Sequence, residues 1–280
     1  MSTLEAVLAQ YEKNKQSASG NSNKVSSEER LKKYFTTVLP KGSKGEERRV
    51  RILPVSDGTP FKEVYFHEIQ VDGKWVKLFD PKQDGKRSPL NEVYQSLMST
   101  GVESDKEYAR QYRSKKFYIV KVIDRDNEQD GPKFWRFKHN SKQDGIFDKI
   151  FPLFQKKGDI TDVQTGRDLT LFLTLTKSGN GKEYTTINSI IPEDPFPLHA
   201  DAKVANSWVN DELTWSDVYA KKPEEYLEMV AKGETPTWDS ETKKWISGAK
   251  GEDTIVGNKK PATTIEDPQE NEEADDNLPF

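Results

Sequence analysis

The sequence predicts a mainly β protein: five or six strands in successive hairpins, curled into a small barrel, with helices at the periphery. Between residues 48 and 191, short runs of alternating apolar and polar residues follow one another, the two-residue period of a half-buried strand. Asp72-Gly73 and the SGNGK segment at 178–182 separate such runs as hairpin turns do. Helical spacing is confined to pieces between or beyond these strands. A closed barrel of the OB-fold kind suits hairpins with an interposed helix. A β-sandwich fits nearly as well.

RRVRILP (48–54) is a strand stopped by Pro54, which lacks the amide a ladder needs. Residues 61–71 and 74–79 flank the Asp72-Gly73 turn. Ser88-Pro89 opens a helix, Ser as N-cap and Pro at the first position. Leu90, Val93, Tyr94 and Leu97 form its apolar face and Gly101 ends it. Residues 104–113 add a further helical turn or two. A long strand at 115–126 turns through NEQDGP into a partner at 133–139. Residues 145–155 read as a short helix limited by Pro152. Strands at 168–176 and 183–191 complete the set.

Four regions follow. Residues 1–40 hold an amphipathic helix, with Leu4, Val7, Leu8 and Tyr11 at helical spacing, and then a polar arm. Residues 41–198 form the β core. Residues 199–248 form a helical extension, periodic at 201–210 and 214–231, that closes on a polar-aromatic piece with Trp238 and Trp245. Residues 249–280 form a disordered acidic tail in which apolar residues nearly vanish.

Charge is segregated along the chain. The net charge is −4, yet residues 41–187 carry 28 Lys/Arg against 22 Asp/Glu, and residues 188–280 carry 9 against 21. A basic body attracts polyanions even in an acidic chain, because salt confines its field to about 10 Å.

Several classes of function drop out. There is no cysteine, which excludes disulfides, zinc–thiolate sites and cysteine nucleophiles. No apolar run is long enough to span a membrane, and the N-terminus does not read as a signal peptide, so a cytoplasmic location is expected. His67, His139 and His199 are scattered, and no metalloprotease, Walker, dinucleotide or serine-hydrolase motif occurs. GSKG (42–45) and SGNGK read as turns, since neither opens a helix. Asp124 and Asp126 share a strand face and could serve a metal-dependent nuclease; they also fit a strand end entering a turn. No catalytic residue, cofactor or metal is expected.

Residues 106–118 read KEYARQYRSKKFY and interleave Lys106, Arg110, Arg113, Lys115 and Lys116 with Tyr108, Tyr112, Phe117 and Tyr118. The paired strand adds Lys133, Trp135, Arg136, Phe137 and Lys138. Cations neutralise phosphates and flat rings stack on bases whatever their sequence, the combination a single-strand binder needs. Alternation along a strand buries one set, so Trp135 fits either a stacking face or the core. Tyr184, beside the glycine-rich turn, is open in the same way. An RNA-binding or RNA-chaperone module is the rival, because such surfaces accept either polymer.

The last fifteen residues hold seven acids and no base, and end Asp275-Asp276-Asn277-Leu278-Pro279-Phe280. A solvating tail has no use for that apolar tip; a docking peptide does, with Phe280 in a pocket and the acids and carboxylate on partner cations.

This ending is similar to the C-terminal peptide of bacterial single-stranded-DNA-binding proteins, which docks replication and repair enzymes. The body resembles the helix-destabilising, single-stranded-DNA-binding proteins of large tailed phages. The matching segments are STLEAVLAQYEKNK, RVRILP, DGKWVKLF, KEYARQYRSKKFYIVKVIDRD, KFWRF and INSIIP, in order through most of residues 2–195. The resemblance implies an OB-fold core and a groove formed here by Tyr108, Arg110, Arg113, Lys115, Lys116 and Trp135. It also implies self-association along DNA through residues 1–24, an acidic tail competing for the groove, and a place in DNA replication, recombination and repair in an infected bacterial cytoplasm. The family's structural zinc is excluded here, since DPKQDGKRSPLNEVYQSL has no Cys; packing around Leu90, Val93 and Leu97 is expected instead. The family's N-terminal basic run is reduced to Lys13, Lys15 and Lys24, which argues against strong cooperativity.

Overall fold

The computed structural model describes residues 32–56, 58–140, 145–179, 181 and 183–248. The helix expected at 3–13, the self-association segment 1–24 and the tip Asp275–Phe280 lie outside the described residues.

Strand β1 (Gly45–Ile52) ends just before Pro54. Strands β2 (Lys62–Val71) and β3 (Lys74–Phe79) meet at Asp72 and Gly73, whose φ angles of 52° and 70° are the left-handed pair a two-residue hairpin requires. Helices α1 (Pro89–Ser99) and α2 (Glu103–Ala109) lead to β4 (Ser114–Asp124) and β5 (Pro132–Lys138). Helix α3 (Ile146–Lys157) precedes β6 (Leu169–Lys177) and β7 (Glu183–Pro192). Pro152 does not limit α3 as expected; the helix runs on to Lys157. Proline leaves only the Asp148 carbonyl without its amide, and Asp148 faces solvent.

The seven strands form one antiparallel sheet, ordered β3-β2-β4-β1-β6-β7, with β5 also paired to β4. Strand β4 is the hub. Ser114–Ile119 pair with β2, Val122–Asp124 with β1, and Phe117–Ile123 with β5 on the opposite edge. The fold is thus mainly β with peripheral helices, as expected. Closure into a barrel is not observed among the described residues. The outer edge of β5 is instead occupied by the incoming arm: Phe134 N donates to Lys33 O and Phe35 N to Phe134 O, at 2.8 and 2.9 Å.

Alternation divides β4 between two cores. Tyr118, Val120 and Val122 face Trp135, Phe137, Val50, Ile52 and Leu171, under Ile146 and Ile150 of α3. Phe117 and Ile119 face the other way, with Val64, Phe66, Phe79 and Phe134. This second face is closed by the C-terminal region, through Leu213, Trp215, Val218 and Tyr219.

Residues 199–248 are therefore folded onto the core. Helix α4 (Ala202–Val209) sets Ala205 and Trp208 against Leu53, Ile123 and Leu198. Helix α5 (Glu224–Ala231) sets Tyr226, Leu227 and Val230 against Ile69, Leu78, Leu90 and Tyr112. Lys121 holds Asp211 at 3.0 Å, and Arg87 bridges Glu92 of α1 to Glu224 and Glu228 of α5. The helical period at 214–231 is interrupted: Trp215–Val218 is a single 3-10 turn, and Pro223 keeps its predecessor out of the helix. Beyond α5 the extension is not helical but a hairpin, β8 (Pro236–Asp239) with β9 (Lys244–Ser247), pairing Trp238 with Trp245. Among the described residues no helix is long and apolar enough to cross a membrane.

Candidate nucleic-acid interface

The basic-aromatic run spans three conformations. Lys106 and Tyr108 lie on α2, Arg110 and Tyr112 on a 3-10 turn, and Lys115 and Lys116 on β4. Tyr108, Arg110 and Arg113 are exposed, and Lys106 sits 3.4 Å from Glu103. Tyr112 corrects the sequence expectation. It is buried against Leu78, Leu90 and Tyr226, with its hydroxyl 3.3 Å from that of Tyr108. Burial pushes its phenol above the ordinary range.

Lys115 and Lys116 point to opposite faces, as neighbours on a strand must. Lys116 shares its face with Tyr65 and Tyr118; its Nζ is 3.1 Å from Glu63 and 5.3 Å from the Tyr118 ring. The Tyr118 ring stacks on Phe147 at 4.7 Å, and Phe147 on the exposed Phe151 at 6.2 Å.

Lys115 faces the other way, into a cluster around Glu68. The Glu68 carboxylate receives Lys115 Nζ at 2.9 Å, Lys138 Nζ at 3.4 Å and Lys77 Nζ at 3.7 Å. Three strands, β3, β4 and β5, each send one lysine to a carboxylate on the fourth, β2. Exposure of these side chains is 22% for Lys115, 11% for Lys138, 6% for Glu68 and 1% for Lys77. Trp75, 38% exposed, lies on the same face of β3 two residues from Lys77. Sequence reasoning misses Lys77, Glu68 and Trp75. A signal for them exists: a two-residue turn at Asp72-Gly73 fixes Glu68 opposite Lys77 and Gln70 opposite Trp75.

Trp135 and Arg136 correct the expectation too. Trp135 is 0% exposed, because odd residues of β5 face the core under α3; Phe35 and Phe137 rings lie 6.0 and 4.9 Å away. No face of it is open to a base. Arg136 is buried on the opposite side, its guanidinium 5.0 Å from the Tyr34 ring and 5.9 Å from that of Phe66. Tyr184, half-buried on β7, pairs with Thr176 at the far end of the sheet and is not brought near the lysines by it. Asp124 serves a turn: it accepts from the Asp126 amide at 3.2 Å and from Asn127 Nδ2 at 3.0 Å, with Lys133 Nζ at 3.3 Å. Among the described residues no three His, Cys, Asp or Glu side chains gather as metal ligands.

The packing expected of Leu90, Val93 and Leu97 is present, and polar contacts join it. His67 Nδ1 lies 2.7 Å from the Tyr112 carbonyl, and its Nε2 lies 3.5 Å from Asp80. Asp80 also accepts from Asn91 Nδ2 at 2.7 Å and from the Lys82 amide at 3.0 Å. Asn91 reaches Ser88 Oγ at 3.1 Å, so that hydroxyl meets a side-chain amide rather than capping the helix.

Two carboxyls are displaced by these surroundings. Burial works against the charge on Glu68, but Lys138, Lys115 and Lys77 outweigh it and hold the group at about 2, below the ordinary 4.5. Burial likewise opposes the Asp80 charge, and contacts from His67, the Lys82 amide and Ser88 hold it well below the usual carboxylate range. A carboxyl that titrates lower folded than unfolded stabilises the fold above its unfolded value and loses that contribution as pH falls. Melting temperature is therefore expected to fall between about pH 5 and pH 2, and to fall less in Glu68→Gln. Equal falls in both proteins would assign the acid sensitivity to other carboxyls.

No protein-family model matches this chain, and no curated protein matches it in sequence.

Proposed function

We propose that the chain is a non-enzymatic binder of single-stranded DNA. It coats strands with little regard to sequence during phage replication and recombination, in the cytoplasm of an infected bacterium. The acidic tip Asp275–Phe280 recruits partner proteins. The observation that carries this reading is the convergence of Lys77, Lys115 and Lys138 across four adjacent strands, with Trp75 beside them. Three ammoniums around one carboxylate leave two positive charges for phosphates, and the indole offers a face for a base. Tyr108, Arg110 and Arg113 extend the basic-aromatic surface along the chain that enters β4.

We take the sheet as OB-like. Its hairpins are antiparallel, α3 separates β5 from β6, and the lysine cluster begins at the β2–β3 hairpin, with Lys77 on β3 facing Glu68 on β2, the strands such folds present to oligonucleotides.

The test is titration of intrinsic fluorescence with oligo-dT at several salt concentrations. Binding is expected to quench fluorescence, with log affinity falling linearly with log salt. Lys115→Met/Lys138→Met should weaken binding at low salt about tenfold or more and flatten the slope by about 0.7 for each phosphate no longer neutralised. No quenching by folded wild-type protein would overturn the proposal. A matched RNA oligomer that bound more tightly would move it to the RNA class.

A further inference from the structure

A surface for polyanions has no obvious place for a carboxylate, yet Glu68 stands at the centre of the lysine cluster. Local structure alone does not require it to gather three lysines. Lys77, almost fully buried, needs an anion to offset its desolvation. Lys115 and Lys138 are less enclosed, yet both converge on one oxygen, Glu68 Oε2, at 2.9 and 3.4 Å. Lys77 approaches the other oxygen, Oε1, at 3.7 Å. The carboxylate thus holds three charged arms from three strands at one point, which their mutual repulsion would otherwise spread apart. A phosphodiester is also a monoanion with two acceptor oxygens, and would meet the same donors. Of the three lysines, Lys115 and Lys138 are the two that reach solvent.

We propose that Lys115 and Lys138 form a seat for one backbone phosphate, with the buried Lys77 adding its charge from behind, and that Glu68 is the seat's built-in counter-ion. The carboxylate keeps the seat assembled when it is empty. It then competes with the phosphate for Lys115 and Lys138, so the chain binds less tightly than its lysines allow. Lys77 stays with Glu68 in both states. This rests on the nucleic-acid reading above and adds to it a residue that restrains affinity.

The experiment compares the full-length wild type, Glu68→Gln and Glu68→Gln/Lys77→Met by oligo-dT titration at low salt, with circular dichroism to verify folding. Glu68→Gln, which keeps the shape and removes the charge, is expected to tighten binding about fivefold, the size of one unit charge near 4 Å in a water-like medium. The double variant restores the surplus of two charges and should return to within about twofold of wild type. It also removes the buried Lys77 charge, so it reads the same balance if Glu68→Gln alone does not fold. Unchanged or weaker binding by folded Glu68→Gln, or a double variant that binds far more weakly than wild type, overturns the proposal. If the wild type binds no oligo-dT, the nucleic-acid reading fails separately. Thermal shift by inorganic phosphate, against chloride at equal ionic strength, then judges the seat. A shift enlarged in the folded variant lacking the Glu68 charge supports it as a free-phosphate site, and no shift in any protein overturns it.

Discussion

Asp168→Ala is expected to destabilise the fold by about 3–5 kcal/mol, the usual cost of stranding a buried charge. Asp168 is nearly inaccessible and serves two arginines. Its Oδ1 accepts from Arg51 at 3.2 Å and from Arg125 Nη2 at 2.9 Å, and its Oδ2 accepts from Arg125 Nε at 2.7 Å. Arg51 has no exposed side-chain surface and donates further to the carbonyls of Asp162 and Phe196, each at 3.0 Å. Both guanidiniums also face the Phe196 ring at 5.3 Å. Burial alone pushes the Arg51 pKa down and Asp168 opposes that, so the carboxylate is what makes the buried cation tolerable. Without it two like charges remain together away from water. The residues joined lie on β1, just after β4, just before β6 and beyond β7, so the loss should reach the whole sheet. Urea unfolding would measure it. A loss below about 1 kcal/mol would mean that the pair behaves as a surface pair does.

Trp135→Ala is expected to cost a similar amount, about 3–5 kcal/mol, and to leave affinity for single strands nearly unchanged wherever the protein stays folded. The indole is enclosed by Phe35, Phe137 and the residues of β1 and β6, and truncation leaves a cavity that two paired strands resist filling. Trp75→Phe should do the reverse. Trp75 is partly exposed beside the lysines, so stability should change by less than about 1 kcal/mol while much of the quenching by oligo-dT disappears. Quenching abolished without Trp135 and kept without Trp75 would invert the assignment of the two rings.

These two tryptophans show where a sequence stops being legible. Local signals are sound. Asp72-Gly73 places the β2–β3 hairpin, and Ser88-Pro89 places the start of α1. Alternation correctly requires that one of the two faces of β5 be buried, but not that both are. That depends on α3 covering one face and residues 213–219 the other, two contacts remote in sequence. The same holds for the lysines. Glu68 and Lys77 are paired by a turn visible in the sequence, whereas Lys115 and Lys138 reach them only through the registers of β4 with β2 and β5. A run of basic residues, read as one line of contacts, splits when Lys115 and Lys116 take opposite sides of a strand. The period at 214–231 misleads because Pro223 breaks what the apolar spacing suggests.

The late position of residues 213–230 gives the fold a history in time. A ribosome adds about 5–20 residues each second, and the part already outside can pair its strands before the rest exists. All seven strands of the main sheet are complete by Pro192, but Val64, Phe66, Phe117, Ile119 and Phe134 still lack the cover that Leu213, Trp215, Val218 and Tyr219 add to that of Tyr34. For a second or more the nascent chain carries a finished sheet with one oily side uncovered, the kind of surface that chaperones hold and that neighbouring chains adhere to. The region that reads as an appendage is the one that ends this interval.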